Sequence, residues 1–156
     1  MTANLFVRVD DRLVHGQIVE GWLPYLKVHR VVVVSEEAAA DPIQRTLMKL
    51  AVPESIQLKI LSVDAAAAEL SESGQVKTLV LVPSPQEALA LLEKGIAFES
   101  LNVGGLHYNA GKVQLGKAIF LSDTDRSALK SIAEKGVSLE GRAVPSDPVT
   151  NPAEQL

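Results

Sequence analysis

The feature that most constrains the fold of this chain is the alternation of short apolar runs with longer segments of helical periodicity. Seven runs have the length and composition of strands: Leu5 to Val9, Arg30 to Val34, Gln57 to Leu61, Thr78 to Val82, Ser100 to Val103, Lys117 to Leu121 and Ser138 to Val144. Five segments between them place apolar residues three to four positions apart: Gly16 to Leu26, Asp41 to Ala51, Val63 to Glu72, Pro85 to Lys94 and Asp123 to Lys135. Strands that alternate with helices predict an α/β fold, with an open, mostly parallel, twisted sheet of about seven strands and helices on both faces.

Local signals at the ends of these segments support the same division. Helix-capping residues stand before three of the segments: Asp41 before Pro42, Ser84 before Pro85, and Ser122 or Asp123 before the last. Gly95 and Gly136, each directly after a lysine, are typical of helix ends. The prolines after residue 144 predict an extended end, so we expect a single domain over residues 1–147 and a C-terminal tail over residues 148–156.

The composition argues against several classes of function. Hydrophobic residues make up 47% of the 156 positions, and the formal charge of −4 is spread over both signs without a basic tract. The chain therefore lacks the electrostatic signature of a nucleic-acid-binding protein. It has no cysteine, which rules out thiol nucleophiles and thiolate metal sites, and no apolar run approaches the roughly 20 residues that span a bilayer. We expect a cytoplasmic protein that does not itself span a membrane.

The loop after the first strand carries the candidate catalytic residue, His15. In a parallel sheet this loop lies at the carboxyl edge, where ligands gather. From the residues alone, His15 could accept a phosphate, act as a general base, bind a metal or serve a structural role. His29 precedes its strand and should lie at the opposite edge, which disfavours a metal site, and no Gly-x-Ser-x-Gly turn supports a hydrolytic triad. Phosphoryl transfer fits best, because neutral imidazole is a good nucleophile near pH 7.

The neighbours of this histidine suit an anionic group. Arg12 can form a two-pronged contact with phosphoryl oxygens, or can pair only with an acid at the surface. The backbone N–H groups of Gly16 and Gln17, at the start of the first helix, predict a phosphate-binding contact. Asp10 and Asp11 would repel a phosphate if both faced it, so at least one of them should orient its neighbours or point elsewhere. We favour Asp10 as the orienting acid.

A second candidate loop runs from Gly104 to Lys112 at the same predicted edge. Its spacing matches neither the dinucleotide-binding fingerprint nor the P-loop, so a nucleotide-binding enzyme has little support. The glycines of this loop could simply permit positive φ. His107 and Tyr108 could contact a partner there, although local packing is the simpler interpretation. Trp22, on the first helix, is more typical of a core than of a contact surface.

The sequence Arg8-Val9-Asp10-Asp11-Arg12-Leu13-Val14-His15-Gly16-Gln17 closely resembles the active loop of a bacterial family. The family comprises the IIB components in the mannose/fructose/sorbose class of sugar phosphotransferase systems. Later segments resemble it in the same order: Arg30 to Asp41, Arg45 to Leu47, Leu101 to Gly105 and Gly111 to Gln114. The resemblance runs from about Phe6 to Asp147. One departure is Val113, where the family commonly has a threonine, so a hydroxyl group is absent from the second loop.

The resemblance implies a cytoplasmic phosphocarrier, a protein-Npi-phosphohistidine-sugar phosphotransferase. His15 would receive a phosphoryl group at Nδ1 from a phosphohistidine of a IIA protein or domain and pass it to a sugar that enters through membrane IIC and IID partners. Arg12 would steady the phosphoryl group and Asp10 would order the loop. Neither a metal nor an organic cofactor is implied. An alternative is a regulatory phosphohistidine module that uses the same chemistry on a partner unrelated to transport.

Overall fold

The computed structural model describes residues 4–72, 76–106, 113–114 and 120–156. Its main sheet has six strands: β1 (Leu5–Asp10), β2 (Arg30–Val34), β3 (Gln57–Leu61), β4 (Thr78–Val82), β5 (Ser100–Gly105) and β8 (Ser138–Gly141). They are parallel and lie in the order β3-β2-β4-β1-β5-β8. Two short strands, β6 (Val113–Gln114) and β7 (Phe120–Leu121), form a separate antiparallel pair. The predicted class, an open parallel α/β sheet, is therefore confirmed.

Helices cover both faces of the sheet. The helical elements are a π-helix (Ile18–Trp22), α1 (Leu23–Leu26), α2 (Glu36–Ala40), α3 (Pro42–Ala51), α4 (Val63–Glu72), α5 (Pro85–Glu93), α6 (Asp123–Glu134) and a C-terminal 3₁₀ turn (Pro152–Gln155). Among the described helices, none is long and apolar enough to cross a membrane. The strands β2 and β4 are buried at every residue, as expected for central parallel strands whose two faces are both packed.

The direction of the connections divides the helices between the two faces. The chain moves one way along the sheet from β1 to β2 and β3, and the other way from β3 to β4, β5 and β8. Right-handed crossovers then place the early helices on one face and the late helices on the other. Two hydrophobic clusters agree: one packs Trp22 and Met48 against one side of the sheet, and the other packs Leu91 and Leu129 against the opposite side.

This topology creates a switch point between β1 and β5. The two strands are neighbours, but the chain leaves their carboxyl ends in opposite directions. A crevice opens at such a point, and it is the usual ligand-binding place of an open α/β sheet. The pairing of β1 with β5 also shifts register there, so that Asp10 lies opposite Gly105. The loop that carries His15 begins at this crevice.

Most predicted elements agree with the structure, and the differences are local. The last strand, β8, ends at Gly141 and not at the predicted Val144. The main sheet has six strands because Phe120–Leu121, the described end of the predicted strand from Lys117, pairs outside it. Helix α2 was not predicted, since its five residues are too few to show a helical period. The first helix contains a π-helical turn where regular periodicity predicted an α-helix.

Two of the three predicted helix N-caps and both predicted helix ends have the expected geometry. The Asp41 side chain accepts hydrogen bonds from the first turn of α3, and Ser122 forms a capping box with Asp125. Ser84 stands at the predicted N-cap position, but its hydroxyl donates to Glu87 instead of capping the backbone. Gly95 and Gly136 both have φ of +90°, as expected for helix ends.

The C-terminal segment contacts the domain over part of its length. The N–H of Gly141 donates to the carbonyl of Thr150 at 2.9 Å, and the N–H of Thr150 donates back to the carbonyl of Gly141 at 3.2 Å. Pro152, which opens the 3₁₀ turn, is buried. This segment therefore packs beside β8, the strand at the end of the sheet nearest the switch point.

Candidate functional site

The loop after β1 is fixed by backbone geometry at its beginning. The N–H of Asp11 donates to the carbonyl of Gly105 at 2.7 Å, and the N–H of Leu13 donates to the carbonyl of Asp10 at 3.0 Å. Leu13 has φ of +57°, a left-handed conformation that costs a non-glycine residue about 1–2 kcal/mol. Burial of the Leu13 side chain, which is 5% exposed, offsets this cost. The loop therefore has one defined path from the sheet edge to His15.

His15 is held by a hydrogen bond through one of its two ring nitrogens. Its Nε2 lies 2.8 Å from Oδ2 of Asp10, and the side chain is 14% exposed. A carboxylate can only accept, so this contact keeps the proton on Nε2 and leaves the lone pair on Nδ1. Nδ1 has no hydrogen-bonding partner among the residues that the structure describes. The geometry thus leaves Nδ1 as the ring nitrogen with a free lone pair.

Asp10 is the centre of the site and is fully buried. Its Oδ2 accepts from His15 and, at 3.2 Å, from Nη2 of Arg8, while its Oδ1 accepts from the N–H of Arg12 at 3.1 Å. Burial alone would raise the pKa of Asp10. The hydrogen bond from His15, the positive charge that His15 carries when it is protonated, the charge of Arg8 and the Arg12 N–H together outweigh burial, so the pKa of Asp10 lies below its ordinary value. Asp10 is therefore an ionised acceptor.

Arg8 contributes a buried guanidinium that sequence reasoning had not assigned to the site. Besides Asp10, it donates to Oδ1 of Asn102 and to the carbonyls of Arg142 and Ala143, at 2.8 and 2.9 Å. Its Cζ also lies 4.8 Å from the ring centroid of Trp22. Burial lowers the pKa of Arg8, and the Asp10 carboxylate opposes that effect. One signal in the sequence could have revealed this role. Arg8 is a charged residue inside a buried strand, so it needs a partner, and Asp10, two positions along the same strand, faces the same side of the sheet.

Gly104 makes room for that guanidinium. A Cβ atom added to Gly104 would lie 2.1 Å from Cζ of Arg8, which no real structure tolerates. Gly105, the next residue, comes close to the carboxylate of Asp10, with a built Cβ at 3.0 Å from Oδ1. The sequence predicted this glycine pair as part of a loop, with positive φ as one reason for its glycines. In the structure both residues belong to β5, and close approach is what they permit.

Arg12 lies at the surface of the same site. Its Nε is 3.7 Å from Oδ1 of Asp10, its Nη2 donates to Oε1 of Gln17 at 3.1 Å, and its side chain is 43% exposed. The first residues after His15, Gly16 and Gln17, are exposed and helical, so their N–H groups have no acceptor within the helix. Arg12 and these amides are therefore available to an anion that approaches the ring.

The remaining candidates lie elsewhere or outside the described residues. His29 is exposed and precedes β2, at the amino edge of the sheet, where it was expected. Trp22 is buried, as predicted, and its Nε1 donates to the carbonyl of Ala143 at 3.0 Å. His107, Tyr108 and the end of the second loop at Lys112 lie outside the described residues. Within the described part of the chain, no group of three His, Asp or Glu residues is placed to hold a metal ion.

Comparison with known proteins identifies the family of the chain. Residues 4–156 match the family described as "PTS system sorbose subfamily IIB component". The PTS system sorbose-specific EIIB component of Lacticaseibacillus casei is 36% identical over 143 residues, which cover 90% of this chain and 87% of that protein. The PTS system mannose-specific EIIAB component of Escherichia coli (strain K12) is 33% identical over 144 residues, which cover 90% of this chain and 44% of that protein.

A solved structure shares the fold. The IIBSor domain of the sorbose permease from Klebsiella pneumoniae superposes with a TM-score of 0.90 and 30% sequence identity, covering 97% of this chain and 94% of that chain. The family match spans nearly the whole sequence, and the structural match covers almost all of the chain. The chain therefore belongs to the sorbose subfamily of IIB components of the bacterial sugar phosphotransferase system (PTS).

Proposed function

We propose that this protein is a cytoplasmic phosphocarrier in which Nδ1 of His15 accepts a phosphoryl group from a IIA phosphohistidine and then donates it to a sugar. The activity is that of a protein-Npi-phosphohistidine-sugar phosphotransferase. The observation that carries the proposal is the 2.8 Å contact between Nε2 of His15 and the buried Asp10 carboxylate, because it leaves Nδ1 unprotonated at the switch-point crevice. Membership of the IIB family supports the same reaction.

The chemistry of the first step follows from the state of the ring. The Nδ1 lone pair attacks the phosphorus atom, a P–Nδ1 bond forms, and the P–N bond to the donor histidine breaks with its electron pair leaving on the donor. The His15 ring keeps its proton on Nε2 and becomes positively charged as the new bond forms. Asp10, which is ionised and in contact with Nε2, stabilises that charge where it develops.

In the second step, His15 gives up the phosphoryl group from the same site. A sugar hydroxyl oxygen attacks phosphorus, the P–Nδ1 bond breaks, and the hydroxyl proton is released to solvent or to the freed imidazole. Because the phosphoramidate must remain reactive, the site should hold it without enclosing it. The exposure of Arg12, Gly16 and Gln17 suits that requirement, since these groups can contact phosphoryl oxygens while phosphorus stays open to in-line attack.

The partners are proposed from the family and from the names of relatives. The mannose-specific relative is named as an EIIAB component and this chain matches less than half of it, which supports a IIA domain as the phosphate donor. Sugar delivery through IIC and IID membrane components completes the proposed reaction. The sorbose-, mannose- and N-acetylgalactosamine-specific names among the relatives support a sugar as the acceptor.

The experiment is phosphorylation of the purified protein with phosphoenolpyruvate, the general phosphotransfer proteins and a IIA protein. We expect a phosphoramidate signal in ³¹P NMR, with ¹⁵N coupling that assigns the phosphorus to Nδ1 of His15. His15→Ala should abolish the signal. His29→Ala is the matched control, because His29 is an exposed histidine at the opposite edge of the sheet and should leave uptake unchanged. Phosphate that persists in His15→Ala would refute the proposal.

The transfer to sugar is tested separately. Membranes that contain IIC and IID components should turn the phosphorylated protein back to its free form, with one sugar phosphate formed for each phosphoryl group lost. Phosphorylation of His15 without any sugar phosphate would reject the transport role while leaving the phosphate-accepting chemistry intact.

A further inference from the structure

A row of polar side chains crosses three adjacent strands beside the site. Arg8 on β1 pairs in register with Asn102 on β5, and Asn102 pairs in register with Glu140 on β8. Residues in register on neighbouring strands share a face and lie next to each other. The row begins at Arg8, next to the Asp10 carboxylate, and ends at Glu140 on β8, the strand at one end of the sheet. It belongs to none of the groups that contact the phosphoryl group in the proposed reaction.

The hydrogen bonds along this row have a fixed direction. Glu140 can only accept, so the Nδ2 of Asn102 faces it, at 3.0 Å from Oε1. The Oδ1 of Asn102 must then face Arg8, from whose Nη1 it accepts. Glu140 is held in turn by Nη2 of Arg142, at 2.9 and 3.2 Å from its two carboxylate oxygens. The carboxylate of Glu140 thus determines which side of the Asn102 amide meets the guanidinium.

The guanidinium has little freedom once its contacts are made. Arg8 and Asn102 are 0% and 1% exposed, and the missing side chain at Gly104 leaves space only for the planar group. Nη1 donates to Asn102 and to the carbonyl of Arg142, while Nη2 donates to the carbonyl of Ala143 and, at 3.2 Å, to Oδ2 of Asp10, the same oxygen that receives Nε2 of His15. Of these partners, the Asn102 side chain is the one that the row through Glu140 orients. The position of that oxygen therefore depends on the row behind it.

We propose that Asn102 and Glu140 are positioning residues for phosphoryl transfer: they fix Arg8, Arg8 fixes Asp10, and Asp10 keeps the proton of His15 on Nε2. This inference rests on the proposed function. The row acts through Asp10 and touches neither the donor nor the sugar. Loss of the row should therefore reduce the maximal rate of phosphate uptake while the donor concentration for half-maximal rate stays the same.

The test uses Asn102→Leu, which keeps the number and branching of side-chain heavy atoms but removes both polar atoms, and Asn102→Asp, which keeps an acceptor for Arg8 but places a carboxylate against Glu140. We expect each to lower the maximal uptake rate by about tenfold, the effect of one hydrogen bond. The control is Val103→Ala on the same strand, whose side chain faces the opposite hydrophobic cluster. It should lower stability and leave the maximal rate within about twofold.

A double variant provides the rescue. In Asn102→Asp with Glu140→Gln, the amide and the carboxylate exchange places, so every donor in the row again meets an acceptor. We expect this variant to recover most of the rate that Asn102→Asp loses, a coupling that independent residues do not show. Glu140→Gln alone completes the cycle. If the rate losses of Asn102→Asp alone and Glu140→Gln alone simply add in the double variant, the positioning role is overturned.

A spectroscopic readout separates this inference from the proposed function. The ¹⁵N shifts of the His15 ring report the tautomer in the protein without any phosphate donor. We expect the Nε2–H form in the wild type and in Val103→Ala, and a mixture of tautomers in Asn102→Leu. Wild-type tautomer and maximal rate in Asn102→Leu would overturn the positioning role. Failure of the wild type to accept phosphate, with the tautomer change still present, would instead overturn only the proposed function.

Discussion

Replacement of Asp10 by asparagine is the sharpest single test of the site. The carboxylate accepts from three donors: Nε2 of His15 and Nη2 of Arg8 on Oδ2, and the N–H of Arg12 on Oδ1. An amide has the same shape but only one accepting oxygen. With that oxygen at the Oδ2 position, the NH₂ group faces the N–H of Arg12. In the reverse orientation two donors lose their acceptor, and the NH₂ group favours the wrong tautomer of His15.

The amide should adopt the less costly orientation, with its oxygen at the Oδ2 position, and the expected loss of rate follows from that case. The hydrogen bond from His15 changes from charge-assisted to neutral, a loss of about 1–2 kcal/mol in stabilising the positive ring that forms during attack. That loss corresponds to a rate about 5- to 30-fold lower. Arg8 also loses its counter-charge while it stays buried, and breaking such a pair typically costs about 3–5 kcal/mol of folding free energy.

The assay combines rapid-quench phosphate uptake with urea unfolding, and the rate is measured well below the unfolding midpoint of the variant. Asp11→Asn makes the same change in charge at a half-buried neighbour and should alter the rate by no more than about twofold. An Asp10→Asn protein that is destabilised but takes up phosphate at the wild-type rate would show that Asp10 only supports the fold, and the reasoning about the tautomer would be refuted.

Further perturbations separate the parts of the site. The pKa of Asp10 is lower in the folded protein than in the unfolded chain, where it is about 3.9, so ionised Asp10 stabilises the fold above that pH. This contribution is lost as the pH falls through the folded pKa. In urea unfolding at several pH values, the free energies of unfolding of wild type and Asp10→Asn should therefore converge in acid. Arg12→Ala should slow uptake about tenfold while the unfolding midpoint barely changes, because the side chain is 43% exposed; an unchanged rate would remove Arg12 from the mechanism. Trp22→Phe should lose about 1 kcal/mol of stability with the Nε1 hydrogen bond to Ala143, measured by thermal unfolding. Gly136→Ala should cost about 1–2 kcal/mol at a φ of +90° and leave uptake intact, whereas unchanged stability would contradict the helix-end assignment.

The parts of the fold that the sequence predicts well are those controlled by local pattern. The bounds of β2, β3, β4 and α4 agree with the predicted segments, because each is a short apolar run or a helical period bounded by clear end signals. Asp10, Arg12, His15 and Gln17 were predicted together because they lie within one loop. Their meeting requires only that the loop follow a strand of a parallel sheet.

The parts that the sequence does not predict depend on pairing between distant strands. Arg8 and Asn102 are separated by 94 positions, and Asn102 and Glu140 by 38, so no local period connects them. Their contact follows from the order of β1, β5 and β8 and from the register of each pair. One pattern could have suggested it, since each strand has a polar residue directly after a buried apolar one: Val7-Arg8, Leu101-Asn102 and Leu139-Glu140.

The division of the site into a buried part and an exposed part explains how a stable fold can carry a reactive group. A row of buried polar residues is an expensive way to stabilise a protein, because an apolar core of the same volume is often as stable or more stable. Its advantage is orientation: Asp10 and Arg8 cannot move without leaving a charge unpaired, so the tautomer of His15 is fixed before any partner arrives. Arg12 and Gln17, by contrast, lie in solvent, where their side chains can adjust to a ligand. Under the proposed function, the nucleophile is therefore prepared by the rigid part of the sheet, while recognition of the phosphoryl group is left to side chains that can move.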